Sequence, residues 1–428
     1  MRRIGRPRGL TALLAAVVPL SAAACGDDQP AEPPTPVIAP GDLAGRRAAC
    51  AFHAGALPGD TIETPAGAPQ PLPITHLVVL VQENHSFDSY FGRFADATGL
   101  DTEGFPDDFT NVDGTGQVLA PQAATSSCLN MDPPHQWNDA HLAWNEGRLD
   151  GFARNGGIAS LTYYQPELMP FYYWLASTFT IADRHFAAVL AGTWANRDYL
   201  YAGTSRGVLD SFSQTIPNVP TIFNALSTAG VTWGVYTDGE PFQDTLGWDR
   251  GHGGVYTFEQ FVNQAADGTL PSVAFVDPPA FSDQDEHPSA VADLGKGQDW
   301  SRQVYLAVAG SPLWSQLAMV VTWDEWGGFF DHVPPPGACT PSPDQPDFDR
   351  LGFRIGLIIV SPWARAHTVS HVVHSHSSIT RLIELVYGLP ALTDRDANAD
   401  ALLDMFDFTA PAVASPPSPP PVDIPPCR

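Results

Sequence analysis

The stretch "THLVVLVQENHSFDSYFG" (residues 75–92) is read first, because it carries the clearest strand in the chain. From Leu77 to Val81 it is continuously apolar, with β-branched residues, as in a strand covered on both faces. It then stops at Gln82, Glu83, Asn84 and His85. In open α/β sheets, ligands bind beyond the carboxyl ends of the strands. Glu83 and Asn84 stand there, and both offer oxygen atoms suited to a hard or borderline divalent cation. A purely structural alternative exists: Asn84 caps the following helix "SFDSYF" and Glu83 is a solvated loop acid.

A second strand ends in the same way. In "LAMVVTWDEWGGFFDHVPPPG" (residues 317–337) the apolar run passes directly into Asp324 and Glu325. Gly327 and Gly328 then provide a tight turn, and Asp331-His332 precede three prolines. Two strands that each deliver a pair of oxygen ligands to one sheet edge make a metal-site arrangement. Further strand candidates are "VTWGVYT", "SVAFVD" and "RIGLIIVS". Between them lie the helix candidates "QWNDAHLAWNEG", "MPFYYWLASTF", "TIFNALSTAG", "WSRQVYLAVAG" and "SSITRLIELVYG". Such alternation predicts an α/β/α sandwich around a mostly parallel sheet.

A cation at a strand edge often activates a hydroxyl. In "ADRHFAAVLAGTWANRDYLYAGTS" (residues 182–205), Thr193 follows Gly192 and opens a helix running through Tyr201. Its hydroxyl either faces a substrate or serves as an ordinary helix cap. His135 in "DPPHQWNDAHL" and His287 in "DQDEHPSA" are further candidates. "HVVHSHSS" brings His371, His374 and His376 close in sequence, and fits a polar loop before a helix as well as a metal site. The aromatics "FYYW" (residues 171–174) and Trp194 fit either core packing or the wall of a ligand site.

The chain has 428 residues and 44% hydrophobic residues, enough for a large core. Acidic residues outnumber basic ones 47 to 21, a formal charge of −26, and Lys296 is the only lysine. Nucleic acid is excluded as a partner on this charge balance. The first residues have the anatomy of an export signal: Arg2, Arg3, Arg6 and Arg8, an apolar stretch from Leu10 to Leu20, then small residues up to Cys25. Cys25 fits a lipidated first residue, the only expected attachment to a membrane. Removing residues 1–24 takes away four arginines and leaves 17 − 47 = −30. The reading is export, as a cell-envelope lipoprotein or a secreted protein. Cys50, Cys128, Cys339 and Cys427 then form an even set, which predicts two disulfides of open connectivity. Residues 25–73 read as a Pro-rich tether, 74–410 as the folded domain and 411–428 as a Pro-rich tail.

Taken together, "HLVVLVQENHSFDSYFG", "DPPHQWNDAHLAWNEGRLDGF", "GTWANRDYLYAGTS", "LPSVAFVDPPAFSDQDEHP", "TWDEWGGFFDHVPPPG" and "HSHSSITRLIE" closely resemble the bacterial phosphoesterase family, over roughly residues 74–390. That family contains phosphatidylcholine-type phospholipases C and acid phosphatases. The resemblance implies an alkaline-phosphatase-like α/β fold and one divalent metal ion held by Glu83, Asn84, Thr193, Asp324 and Glu325. It further implies that Thr193 is the nucleophile, and that His135 and His287 hold the phosphate or handle leaving-group protons. Ser375 departs from the aspartate that many relatives carry before the histidine, which weakens a role for His376. The larger phospholipases of the family carry extra domains, and here only a Pro-rich tail follows residue 410. The expected activity is therefore hydrolysis of phosphate monoesters through a phosphothreonine, with phospholipase C as the alternative. A third reading, of another class, is an inactive ligand-binding surface lipoprotein.

Overall fold

The computed structural model describes residues 41–128, 130–209, 219–246, 253–289, 292–425 and 427; the expected export signal and Cys25 lie outside them. Eight strands form the main sheet: β1 (His76–Gln82), β2 (Thr180–Ala182), β3 (Trp233–Tyr236), β4 (Gly254–Tyr256), β5 (Val273–Val276), β6 (Leu317–Trp323), β7 (Leu357–Val360) and β8 (Thr368–Ser370). Their spatial order is β8-β2-β7-β6-β1-β5-β3-β4. β1 pairs in parallel with β5 and β6, β5 with β3, β3 with β4 and β2 with β8. Both central strands, β1 from Leu77 onward and β6 throughout, are buried. Burial on both faces is what made their sequences continuously apolar.

Only β7, the strand within "RIGLIIVS", runs against its neighbours β6 and β2. The chain between β6 and β7 contains no helix to carry it across to the opposite edge. It leaves β6 at one edge and enters β7 at the same edge, so β7 must run back. The strands β2, β4 and β8 have three residues each, too few for periodicity to register.

The principal helices are α1 (Phe87–Phe91), α2 (Trp137–Trp144), α3 (Pro170–Thr178), α4 (Thr193–Ala202), α5 (Ile222–Thr228), α6 (Phe258–Asp267), α7 (Leu294–Ala309) and α8 (His376–Tyr387). α1 is capped by Ser86, whose side chain accepts from the Ser89 N–H at 3.2 Å, so Asn84 is not its cap. α7 starts well before "WSRQVYLAVAG", because Asp293 caps it by accepting from the Gly295 N–H at 2.9 Å.

Both Pro-rich ends are fastened to the body. Ile62 and Leu72 join the main core, and Phe52 packs with Ala391 and Ala397. In the tail, the Pro417 and Pro420 carbonyls accept from Tyr305 Oη at 2.6 Å and Arg302 Nε at 2.8 Å. Disulfides join Cys50 to Cys339 and Cys128 to Cys427, 289 and 299 residues apart in sequence. Such long loops restrict the unfolded chain strongly, by about 2–5 kcal/mol for each bridge. Thiol titration of denatured, unreduced protein is expected to find none of these four cysteines free. Reduction should lower the denaturation midpoint by the corresponding amount.

Candidate active site

The site grows out of the register between β1 and β6. Gln82 pairs with Trp323, so Glu83 and Asp324 leave the sheet side by side. The Asp324 N–H still donates to the Gln82 carbonyl at 3.1 Å, while the Glu83 N–H donates to Asp285 O at 3.0 Å. β5 ends two residues earlier, with Val276 opposite Leu80, and Asp277 follows it. Three adjacent strands thus end in carboxylates at one edge.

Arg197 lies among them, only 1% exposed. Its Nε donates to Asp324 Oδ2 at 2.9 Å and its Nη1 to Asp277 Oδ1 at 2.8 Å, while Nη2 lies 3.5 Å from Glu83 Oε1. The Phe242 ring covers the guanidinium at 3.6 Å. Arg197 sits one helical turn after Thr193 on α4, so both reach the same edge.

Thr193 is the first residue of α4 and makes no capping bond; Gly192 is the cap residue. The Thr193 hydroxyl instead donates to Asn84 Oδ1 at 3.4 Å. Asn84 has φ +60°, in the left-handed region that asparagine tolerates better than most residues. The turn after Glu325 closes onto it. Gly327 and Gly328 have φ +63° and +76°, and a Cβ on them would meet the Asn84 carbonyl at 1.9 Å and Pro133 at 2.5 Å. Only glycine lets this turn, Asn84 and the Pro133–His135 loop approach so closely.

Glu325 Oε2 accepts from the Gly327 N–H at 2.8 Å, and Oε1 lies 3.7 Å from His135 Nε2. The His135 Nδ1–H donates to the Pro133 carbonyl at 2.8 Å, which leaves a lone pair on Nε2 of the neutral ring. Burial lowers the proton affinity of His135, although Asp132 opposes this. The His135 and His287 rings meet edge to face at 5.6 Å. Glu83, Thr193, His135 and His287 line a cavity of about 150 Å³ with Asp132 and Trp194, and Phe281 stands at its mouth.

These residues fit a divalent cation. One guanidinium faces three buried carboxyl groups, from Glu83, Asp277 and Asp324, and a fourth, Glu325, is buried next to Asp324 in the chain. Burial first, and then the charge of Asp324, raise the pKa of Glu83 and Glu325 well above the carboxylate range. Asp324 Oδ1 and Glu325 Oε1 are buried without a hydrogen-bond partner. A cation bound at this edge would give an unpartnered oxygen a ligand role and offset the charge excess.

Comparison with known proteins identifies the family. Residues 74–390 match the Phosphoesterase family. The chain belongs to the Phosphoesterase family. It is a hydrolase acting on phosphate ester bonds. It is 31% identical over 397 residues to non-specific phospholipase C4 of Arabidopsis thaliana, covering 78% of this chain and 72% of the relative. It is 30% identical over 461 residues to phospholipase C B of Mycobacterium tuberculosis, covering 87% and 86%. Among solved structures, a protein in the alkaline phosphatase superfamily from Vibrio parahaemolyticus aligns with TM-score 0.42 and 13% identity, covering 84% of this chain and 77% of that one.

Not every polar residue of the phosphoesterase motifs points into the site. His85 stacks between Tyr90 and Phe329 at 4.0 and 4.6 Å, and its Nε2–H donates to Glu286 O at 3.2 Å. His376 is occupied by backbone: Nδ1 accepts from the Ala188 N–H at 3.2 Å and Nε2–H donates to Trp323 O at 3.0 Å. The aromatics Phe171, Tyr172 and Tyr173 are core, whereas Trp194 lines the cavity. Sequence reading passed over Arg197 and Asp277. Asp277 carried a usable signal, since "SVAFVD" ends in a carboxylate as β6 does. Arg197 carried another, one turn beyond Thr193.

His371 lies 3.0 Å from Asp183, and the buried His374 lies 3.3 Å from Asp400 and 3.2 Å from Asp404. Burial opposes the charge on His374, but these two carboxylates raise its pKa from 6.5 to about 9. The folded state holds this proton more tightly than the unfolded chain. Its contribution to stability is therefore complete below about pH 6.5 and lost as pH rises through about 9. Urea unfolding across that range should show this fall in the native protein and a flatter profile in His374→Ala.

Proposed function

We propose that the protein is an exported, divalent-metal-dependent phospholipase C acting through Thr193. The observation that carries the reading is the Thr193 hydroxyl, bonded to Asn84 at the edge of the carboxylate cluster and facing a cavity lined by two histidines. Glu83, Asn84, Asp324, Glu325 and Thr193 would hold one cation. That cation would supply charge neutralisation for the nucleophile and the phosphoryl oxygens. Phosphoryl transfer depends on this kind of positioning and neutralisation more than on covalent chemistry.

In the first step the Thr193 oxygen forms a bond to phosphorus and the bond to the leaving alcohol oxygen breaks, giving a phosphothreonine ester. The proton lost by Thr193 and the proton gained by the alcohol pass through the groups lining the cavity, with His135 and His287 nearest. Water then cleaves the Thr193–phosphorus bond and restores the hydroxyl. Arg197 keeps Glu83, Asp277 and Asp324 aligned and touches no substrate.

The phospholipid substrate is supported by the relatives' names and by the apolar mouth of the cavity. The M. tuberculosis relative, a phospholipase C by name, aligns over 86% of its own length, which favours the phospholipid over the monoester. A second reading, phosphomonoester hydrolysis, is supported by the cavity volume of about 150 Å³, which suits a phosphate group alone. Export is supported by the two disulfides. Residues 1–24 as a signal, Cys25 as a lipid attachment point and 74–410 as the catalytic domain complete the proposal.

Thr193→Ala is expected to lower turnover by about three orders of magnitude or more. It should leave the melting temperature close to native, since Thr193 makes no cap bond. Thr193→Ser should keep part of the activity. Chelation should abolish turnover and a divalent ion restore it, with release of phosphocholine from phosphatidylcholine as the readout. Hydrolysis of an aryl phosphate monoester with no phosphocholine released from phosphatidylcholine would favour the monoester reading, and near-native turnover by the alanine variant would remove the nucleophile.

A further inference from the structure

We infer that Phe281 docks the mouth of the cavity onto a zwitterionic phospholipid surface. The inference rests on the phospholipase C reading and adds how the enzyme reaches an aggregated substrate.

Phe281 is 64% exposed, more than any other large apolar side chain among the described residues. Its backbone has φ +58°, a left-handed conformation that bulky side chains rarely adopt. The turn is fastened rather than loose. The Asp285 carboxylate accepts from the Ser282 N–H at 3.1 Å and the His287 N–H at 3.0 Å, and Ser282 Oγ accepts from the Gln284 N–H at 3.1 Å. A strained, well-tied backbone therefore holds an aromatic ring out in solvent.

Its position ties it to the site. The Phe281 ring lies 6.1 Å from the His287 ring and lines the cavity. Asp132 lines the same cavity, and its neighbour Met131 is 45% exposed. An exposed aromatic ring thus stands beside a pocket large enough for a phosphate group. An aromatic at an apolar–water boundary buries its ring and leaves its polar surroundings wet.

Charge selects the surface. With a formal charge of −26, the chain is repelled by anionic bilayers. A zwitterionic surface has no net charge. The Asp132 side chain, 53% exposed beside Met131, complements the ammonium end of such a headgroup.

The test is sedimentation of the full chain with phosphatidylcholine vesicles, in a Cys25→Ser, Thr193→Ala background that removes any lipid on residue 25 and slows turnover. Phe281→Asn suits the left-handed backbone and should keep the fold, checked by melting temperature. It is expected to lower vesicle partitioning by about tenfold or more, the scale of one exposed phenyl ring leaving the interface. Phe281→Trp should retain partitioning, and phosphatidylglycerol vesicles should bind more weakly than phosphatidylcholine. Partitioning of Phe281→Asn within about twofold of its parent, or a parent that does not bind phosphatidylcholine vesicles, would overturn the inference. Hydrolysis of monomeric short-chain phosphatidylcholine by the protein with Thr193 intact tests the underlying reading separately: absence of headgroup release there would overturn the phospholipase assignment whatever the vesicles show.

Discussion

One guanidinium, that of Arg197, joins the carboxylates of three neighbouring strand ends. Taking Arg197, Asp277, Asp324 and Glu83 out of water is costly, and the cost is offset only because each ion has an opposite charge or hydrogen bond at close range. The pairing is also asymmetric. Arg197 occupies Asp324 Oδ2 and leaves Oδ1 buried without a partner, so it aligns the carboxylate while sparing one oxygen. Burial of the cluster follows from the sheet: β1, β5 and β6 are adjacent, parallel and covered on both faces.

The loops around that edge are braced by the chain's end. The Leu294 N–H donates to Ser127 O at 3.0 Å, and the Cys427 N–H donates to Asp293 Oδ2 at 2.8 Å. Cys128 and Asp293 form a short bridge, and Cys128 is bonded to Cys427. The segment leading to His135 and the segment following His287 are therefore tied at one point. The Pro-rich tail acts as a strap for both histidine-bearing loops. Its polyproline composition suits the task, because proline carbonyls accept from Tyr305 and Arg302 without a backbone ladder.

Much of this was legible in the sequence where the physics is local. An apolar run that stops at charged residues marks a strand end, so the placement of Glu83, Asn84, Asp324 and Glu325 could be read directly. Thr193 at a helix start was equally plain. The direction of β7 was not, because it depends on where a long loop re-enters the sheet. The roles of His85 and Glu286 were also hidden. His85 sits in the same motif as Asn84 but turns into an aromatic stack. Glu286, whose pKa burial pushes up to about 8, accepts from Tyr90, Tyr172 and the Trp323 indole behind the site. Those partners come from distant parts of the chain, and no spacing announces them.

A cation at the shared edge of β1 and β6 is what the roles of these residues depend on. Anomalous diffraction from crystals soaked in manganese tests it most directly. A peak is expected in contact with Asp324 Oδ1 and a Glu325 oxygen, with Glu83, Asn84 and Thr193 around it. A peak confined to another cluster, such as His374, Asp400 and Asp404, with ordered water alone at Asp324, would contradict it.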